Sequence, residues 1–384
     1  MRVLIVHPSF YLYGGAEHLI VKLCEGLRRR DVECGVLTTS ILPEVASDLN
    51  GIPTEVVPVG SGRRVPKGRK LVRRQIQVLS KAVCRISGRY DLLNVHNFPA
   101  EFIAPASAKP VVWMCNEPEL YLRIHREHFK HKRWKARLFY RRLFRRQKKI
   151  IKRCISEVVV SDRANAQRFA SVYGRTPVIV PYGIDWEFFS QPAGGAVAGG
   201  LPGDRFIVLH VGTITPFKNQ LATLKAASEL RREMPDLLVV FAGPTLNSGY
   251  RRMLDELIEQ EGLTEHVFFT GNLDRTELRG LYHRADLLLH PVEAQGGWLS
   301  PFEMLCAGKP IVVSPKLTCA ELIREEGIGT VTEAYAAAVR EIRSDLERAR
   351  RAAERGREFV RANLSWDRFA ERLLEVFKRA ADKA

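Results

Sequence analysis

Three short stretches hold residue types whose spacing can do chemistry on an anionic or hydroxylated ligand. The first is EAQGGWLSPFE, residues 293–303, which follows the apolar run ADLLLHP and leads into a helical pattern. Gly296 and Gly297 let backbone N–H groups approach a ligand, and the start of a helix adds positive potential there. Glu303 falls in the first turns of that helix, where a carboxylate can accept two hydrogen bonds from a vicinal diol such as a ribose. Glu293 and Gln295 are placed to hold hydroxyls of a second sugar. The plain alternative is a helix-start glutamate that offsets the dipole. The second stretch is VGTITPFKNQ, residues 211–220. Gly212 closes an apolar run and Lys218 stands near the next helix start, where an ammonium can neutralise a diphosphate through charge-assisted hydrogen bonds. Taken alone it reads equally as a solvated lysine. The third is HPSFYLYGGAEHL, residues 7–19. Gly14 and Gly15 precede a helix, which suits a phosphate or a sugar, or simply a tight turn. It is not GxGxxG, so a dinucleotide is not expected.

These stretches need elements to position them. Apolar runs alternate with longer amphipathic segments along the whole chain. The first half holds RVLIVH, ECGVLTT, TEVVPV, YDLLNVHN, PVVWMCN, SEVVVSD and PVIVPYG; the second holds FIVLHVG, LLVVFAG, HVFFTGN, ADLLLHP and KPIVVSP. Uniformly apolar strands are buried on both faces, as in parallel sheets covered by helices. The fold class is therefore α/β, with two doubly wound, Rossmann-like parallel sheets. Ligands in such sheets bind beyond the carboxyl ends of the strands, where all three stretches lie. A length of 384 residues fits two domains. The Gly-, Ala- and Pro-rich stretch 191–204, QPAGGAVAGGLPGD, reads as a flexible divider that packs no core. The expected domains are 1–182, 183–364 and a returning C-terminal helix, 365–384, with Ser365 as its N-cap.

In order and spacing, HPSFYLYGGAEHLI, YDLLNVHN, VVVSD, VPYGIDWEFF, VGTITPFKN, EAQGGWLSPFEMLCAGKPIVV and SWDRFAERLLEVF resemble the retaining, nucleotide-sugar-dependent glycosyltransferases of the GT-B fold, family 4-like. The resemblance spans nearly the whole chain. It implies that Glu303 binds the donor ribose and Lys218 the donor diphosphate. It implies too that Gly14 and Gly15 form the loop over donor and acceptor, and that Gly297, Trp298 and Leu299 face the donor phosphate and sugar. Gly212, Thr213 and Gln295 complete the implied donor set, with Glu293 and Asn116 beside Lys218 and Glu303 as catalytic candidates. The closing helix is expected to cross back to the first domain.

WMCNEPELYL, residues 113–122, resembles the WxCHEP segment of mannosyltransferases that extend lipid-linked glycans, which favours GDP-mannose as donor. Three positions depart from the family pattern. Thr213 stands for an arginine, Gln295 for a glutamate and Asn116 for the histidine of WxCHEP. Asparagine can hydrogen-bond a sugar but cannot shuttle protons near pH 7. A UDP-sugar-dependent enzyme with a soluble acceptor, or a catalytically silent scaffold, stand as alternatives. No side chain presents itself as a nucleophile. The implied chemistry is a front-face displacement in which the departing phosphate helps deprotonate the acceptor. No metal or other cofactor is expected; the nucleoside diphosphate sugar is a co-substrate. His125, His128 and His131 recur at a spacing of three, but they lie among cations that repel a metal ion.

The net charge of +17 calls for an anionic partner. Much of it sits in residues 121–153, where fifteen Lys and Arg accompany one acid, Glu127. Aromatic and aliphatic residues intersperse the cations, which reads as an amphipathic helix on an anionic membrane; the alternative is a core face opposite solvated cations. The acceptor or membrane surface is assigned to His96, Arg133, Trp134, Arg141, Arg142, Phe144 and Arg145. No nucleic-acid-binding motif is present, so nucleic acid is not an expected partner. Seven scattered cysteines without a CxxC pair fit a reducing compartment. The start of the chain lacks a signal-peptide pattern and no apolar stretch reaches the ~20 residues of a membrane span. The expected location is cytoplasmic, peripheral on the inner membrane face.

Overall fold

The computed structural model describes residues 1–11, 14–60, 68–116, 118, 134–192, 195–293 and 298–383, the side chains of 134–137 excepted. The chain divides into two compact units. One comprises Met1–Gly183 with Trp366–Ala384, the other Ile184–Ser365.

The first unit is built on seven strands: β1 (Arg2–Val6), β2 (Glu33–Thr38), β3 (Thr54–Val56), β4 (Leu92–His96), β5 (Val111–Met114), β6 (Glu157–Val160) and β7 (Val178–Ile179). Their order is β3-β2-β1-β4-β5-β6-β7, and every pairing is parallel. β4 is buried at every position and β5 likewise, as strands covered on both faces must be. One face packs against helices Gly15–Arg28 and Trp366–Asp382 through Ile20, Leu23, Leu27, Phe369, Leu373 and Phe377. The other packs against Arg69–Ile86, Trp134–Cys154 and Arg163–Tyr173 through Leu79, Val83, Leu143, Ile151 and Phe169.

The second unit repeats the plan with β8 (Phe206–Val211), β9 (Leu237–Ala242), β10 (Val267–Gly271), β11 (Leu287–His290), β12 (Ile311–Val313) and β13 (Thr330–Val331), in the order β10-β9-β8-β11-β12-β13. In each sheet the winding reverses beside the first strand of the unit, between β1 and β4 and between β8 and β11. These two crossings are where a doubly wound sheet opens a crevice for ligands.

The chain leaves the first unit at Gly183 and re-enters it at Trp366. A Cβ on Gly183 would stand 2.3 Å from the Trp366 ring, so a side chain there would collide with the returning helix. Within the second unit, Ile184 and Ser365 form a parallel bridge, and the Ile184 N–H donates to the Leu364 carbonyl at 2.6 Å.

The stretch 191–204 differs from its reading as a packing-free divider. Residues Ala196–Gly200 form a short helix against helix Arg275–Arg284, with Ala198 buried. The Glu277 carboxylate accepts the Ala196 and Val197 N–H groups at 2.9 and 3.1 Å. Small residues let this segment lie flat on the second unit, and a carboxylate at the helix start offsets its dipole.

Candidate functional sites at the two sheet crossings

In the second unit, Gly212 directly follows β8, with φ +152°. The Lys218 side chain runs along this glycine, its Cδ 3.1 Å from where a Cβ would sit. Gly243, at the end of β9, also has positive φ, and a Cβ on it would stand 2.3 Å from the Gly212 carbonyl oxygen. Two glycines thus let β8 and β9 close together under the lysine loop. Lys218 ends the 3-10 turn Pro216–Lys218. Asn219, in the left-handed conformation, turns the chain into helix Gln220–Leu230. Its amide donates to the Pro291 carbonyl at 3.2 Å, tying the lysine loop to the end of β11. Beneath lies His210, fully buried, its Nδ1 2.9 Å from the Thr223 hydroxyl. Burial holds its pKa down at about 3, so the lysine loop rests on a neutral imidazole.

Glu303 lies on helix Leu299–Cys306, which Trp298 precedes. Trp298 is buried, with its ring 4.6 Å from Phe302. The hydroxyl of buried Tyr282, on helix Arg275–Arg284, donates to Glu303 Oε2 at 2.7 Å. Oε1 takes no protein partner among the described residues. Burial pushes the Glu303 carboxyl up, while the Tyr282 bond and the positive Arg275 favour its charged form. Arg275 is itself held by Asp185 at 2.8 Å. Glu293 is half exposed and its carboxylate pairs with Lys316 at 3.1 Å, which also holds Glu333 at 2.8 Å. Gln295, Gly296 and Gly297 lie outside the described residues.

The first unit holds a different arrangement at its crossing. The Gly14 N–H is taken by the Glu17 carboxylate at 3.0 Å, in the first turn of helix Gly15–Arg28, so this donor is spent within the protein. Behind it, His7 is buried at the end of β1 with Nε2 4.0 Å from Glu17. Burial lowers the His7 pKa to about 3 and raises that of Glu17. Asn97 follows β4 with φ +56°, and its amide nitrogen lies 3.2 Å from His7 Nε2. Asn116, beyond β5, donates to Asn97 Oδ1 at 2.7 Å and accepts from the Tyr182 hydroxyl at 3.0 Å.

Sequence reasoning singled out Asn116 but not Asn97, Tyr182 or His7, although all three stand in stretches it quoted. Tyr282 it missed altogether. Each is an ordinary residue until the fold places it.

Three surface assignments change. His96 is 0% exposed and shares a 2.6 Å hydrogen bond with Asn94, so it presents nothing to a membrane or a bulky acceptor. Of the apolar residues of helix Trp134–Cys154, Tyr140, Leu143, Ile150 and Ile151 are buried in the core of the first unit, whereas Leu138 is exposed. Phe144 is half-buried, 6.0 Å from the Tyr173 ring. The cations Arg141, Arg142 and Arg145 are exposed, and none pairs with a described acid. The facing helix Arg69–Ile86 also lacks acids, and its Arg73 lies over Phe139 at 4.8 Å. Arg133, the Trp134 side chain and His125, His128 and His131 lie outside the described residues. Among those described, no helix is long and apolar enough to cross a membrane.

Comparison with known proteins agrees with this plan. Residues 13–188 match the family model described as Glycosyltransferase Family 4, and residues 197–359 the one described as Glycosyl transferases group 1. A D-inositol 3-phosphate glycosyltransferase of Thermomonospora curvata is 26% identical over 96% of this chain and 91% of its own. A GDP-mannose-dependent alpha-(1-6)-phosphatidylinositol monomannoside mannosyltransferase of Mycolicibacterium smegmatis is 30% identical over 57% of this chain and 61% of its own. Among solved structures, Anabaena Alr3699/HepE in complex with UDP-glucose superposes with a TM-score of 0.77 at 20% identity, covering 99% of this chain and 100% of that one.

Proposed function

The chain belongs to the glycosyltransferases of family 4 and group 1, with the two-sheet GT-B fold, and from that premise we propose that it is a retaining enzyme that moves mannose from GDP-mannose to a membrane-associated, lipid-linked glycan. One observation carries the reading. At the second crossing a lysine loop is tied to the end of β11, and the same unit carries a carboxylate held by a buried phenol. Lys218 can take diphosphate charge as it leaves, and the N–H groups at the start of helix Leu299–Cys306 add to that. Glu303 Oε1 can accept from a ribose hydroxyl. The charge partner is a lysine, so the reading assigns no metal. With no nucleophile assigned, the departing phosphate oxygen takes the acceptor proton as the new glycosidic bond forms on the face the diphosphate leaves; a trapped covalent glycosyl-enzyme would refute this.

GDP-mannose is favoured by the WxCxEP stretch and by the mannosyltransferase relative, whose own name carries that donor. A lipid-linked acceptor is supported by the acid-free helices Arg69–Ile86 and Trp134–Cys154, whose exposed cations suit an anionic leaflet. Because Tyr140, Leu143, Ile150 and Ile151 are core, such attachment rests chiefly on the exposed cations. A UDP-sugar donor with a soluble acceptor is the second reading, favoured by the fold shared with a protein solved with UDP-glucose.

The test is a calorimetric screen of GDP-, UDP-, ADP- and dTDP-sugars. We expect one nucleotide class, GDP, to bind and the binding to be lost in Glu303→Ala. Selective binding of UDP-sugars would move the donor assignment. Binding of none by the folded protein would leave a silent scaffold, consistent with Thr213, Gln295 and Asn116.

A further inference from the structure

The second sheet has another end, opposite its crossing, and positive charge collects there. β11 begins just after Asp286 and β12 just after Lys309 and Pro310, so these residues stand at the amino ends of the two strands. The crossing opens at the carboxyl ends. β11 has four residues, so about 13 Å of strand separates the two places. Helix Leu346–Asn363 flanks the amino ends and lies tight on helix Leu299–Cys306. A Cβ on Gly356 would stand 2.7 Å from Leu305 Cδ2, and one on Gly308 would stand 3.7 Å from the Glu354 carboxylate. Gly308, with φ +68°, turns the chain into Lys309.

Most cations at this end are spoken for. Arg284, the last residue of helix Arg275–Arg284, donates to the Pro202 carbonyl, and His283 Nε2 donates to the Phe189 carbonyl at 2.9 Å. Arg357 pairs with Glu354 at 3.7 Å. The Met304 and Leu305 carbonyls at the end of helix Leu299–Cys306 are met by the backbone N–H groups of Ala307, Gly308 and Lys309, so they do not call for a lysine side chain. Lys309 and Arg350 differ. Lys309 is half-buried, yet neither its ammonium nor the Arg350 guanidinium makes a hydrogen bond or ion pair with a described residue. Burial lowers the Lys309 pKa, Asp286 opposes this, and the like charges of Arg350 and Arg284 lower it further. Asp286 itself has Oδ2 committed to the Ile207 N–H at 2.8 Å. A half-buried ammonium among like charges is costly unless an anion answers it.

The charges name the anion. Lys309, Arg350 and Arg284 against Asp286 leave two positive charges unanswered. A phosphate near pH 7 carries about −1.5 to −2 and offers several acceptor oxygens, whereas a carboxylate brings a single charge. An ammonium and a guanidinium can both hold such oxygens by charge-assisted hydrogen bonds. We propose that the amino ends of β11 and β12 form a second anion site, for a compact phosphate, free or as the monoester of a small molecule. Lys309 and Arg350 are its contact residues, and Arg284 adds charge beside them. The site is separate from the lysine loop at the crossing and does not depend on which donor that crossing takes.

The experiment uses the full chain labelled with 15N, at neutral pH, and follows the backbone amide signals of Gly308, Lys309 and Arg350. Inorganic phosphate should move them along a saturable curve, and sodium chloride at matched ionic strength should leave them in place. Arg350→Gln, at an exposed position that packs no core, should weaken phosphate about tenfold as read at the Gly308 amide, and Lys309→Gln likewise. Lys218→Ala, which removes the cation of the crossing, should leave the curve unchanged. Glycerol phosphate separates the two sources: a tighter curve than that of inorganic phosphate identifies a monoester as the occupant, and an equal or weaker one the free ion. Signals that follow chloride as they follow phosphate, an Arg350→Gln chain that binds phosphate as tightly as the wild type, or a response lost in Lys218→Ala would each overturn the proposal.

Discussion

The two sheets share one strand order, yet their crossings carry opposite chemistry. The second crossing brings a lysine loop to the end of β11, and the same unit carries an oriented carboxylate. The first places neutral amides and a phenol over an uncharged imidazole. A doubly wound sheet supplies the location, and the residues at the strand ends decide what is held there. Charge suits the part of a nucleotide sugar that departs as an anion. Directional neutral donors and acceptors suit hydroxyls, whose arrangement has to be told apart rather than merely neutralised.

Substitutions should separate the two crossings. Lys218→Ala removes the cation from the second alone. Turnover should fall on the order of a hundredfold to a thousandfold, with the melting temperature unchanged. Unchanged turnover would mean that Lys218 does not take the charge of the leaving diphosphate. Replacing Arg141, Arg142 and Arg145 by alanine touches neither crossing. At about 1 kcal/mol per cation near an anionic leaflet, co-sedimentation with phosphatidylserine vesicles should weaken roughly a hundredfold. The melting temperature should hold, since exposed residues without partners contribute little to folding. Retained vesicle binding would remove the electrostatic attachment. Tyr282→Phe leaves Glu303 in place but unoriented, and nucleotide affinity measured by calorimetry should drop about tenfold. The drop should shrink for a 2′,3′-dideoxy nucleotide, which cannot report on a diol contact.

The smallest effect concerns Glu101, buried behind the first crossing, with Gln147 donating to its Oε1 at 2.5 Å and its Oε2 unpartnered. Burial raises its pKa from 4.5 to about 8. The folded chain therefore holds a proton that the unfolded chain releases between those values, and stability falls as pH rises through that window. Glu101→Gln should remove this slope, so that the melting temperature falls between pH 5 and pH 8.5 in the wild type and not in the variant. An unchanged slope would place the titration elsewhere.

Twelve apolar runs were legible as strands: central ones such as β4, β5, β9 and β11 are buried at every position and need unbroken hydrophobic residues, while β3, β7 and β10 are partly exposed and showed through β-branched or aromatic residues. β13 was not, since Thr330 and Val331 are only two residues at a sheet edge and half-buried. The Gly- and Ala-rich stretch misled because small residues serve a flat-lying helix as well as a flexible tether. Lys218 and Glu303 were visible through their glycine-rich surroundings, which mark a turn into a helix. Tyr182, Asn97 and His7 carry no such mark. They lie far apart in sequence and meet only because the strand order sets β1 beside β4 and β4 beside β5. The basic helix could be read as amphipathic from its pattern, but a pattern does not tell whether the apolar face meets lipid or its own sheet.

The contact of Gly183 with Trp366 has an architectural consequence. The first unit's chain is cut where its two loose ends already touch, and the second unit begins and ends in one bridge at Ile184 and Ser365. Residues 184–365 are therefore an insertion in the topological sense, a guest whose removal leaves its host a gap that a few glycines would span. A host gene joining 183 directly to 366 and a guest gene covering 184–365 are both natural cut points, because adjacent ends are what domain insertion requires. Each piece carries one of the two crossings.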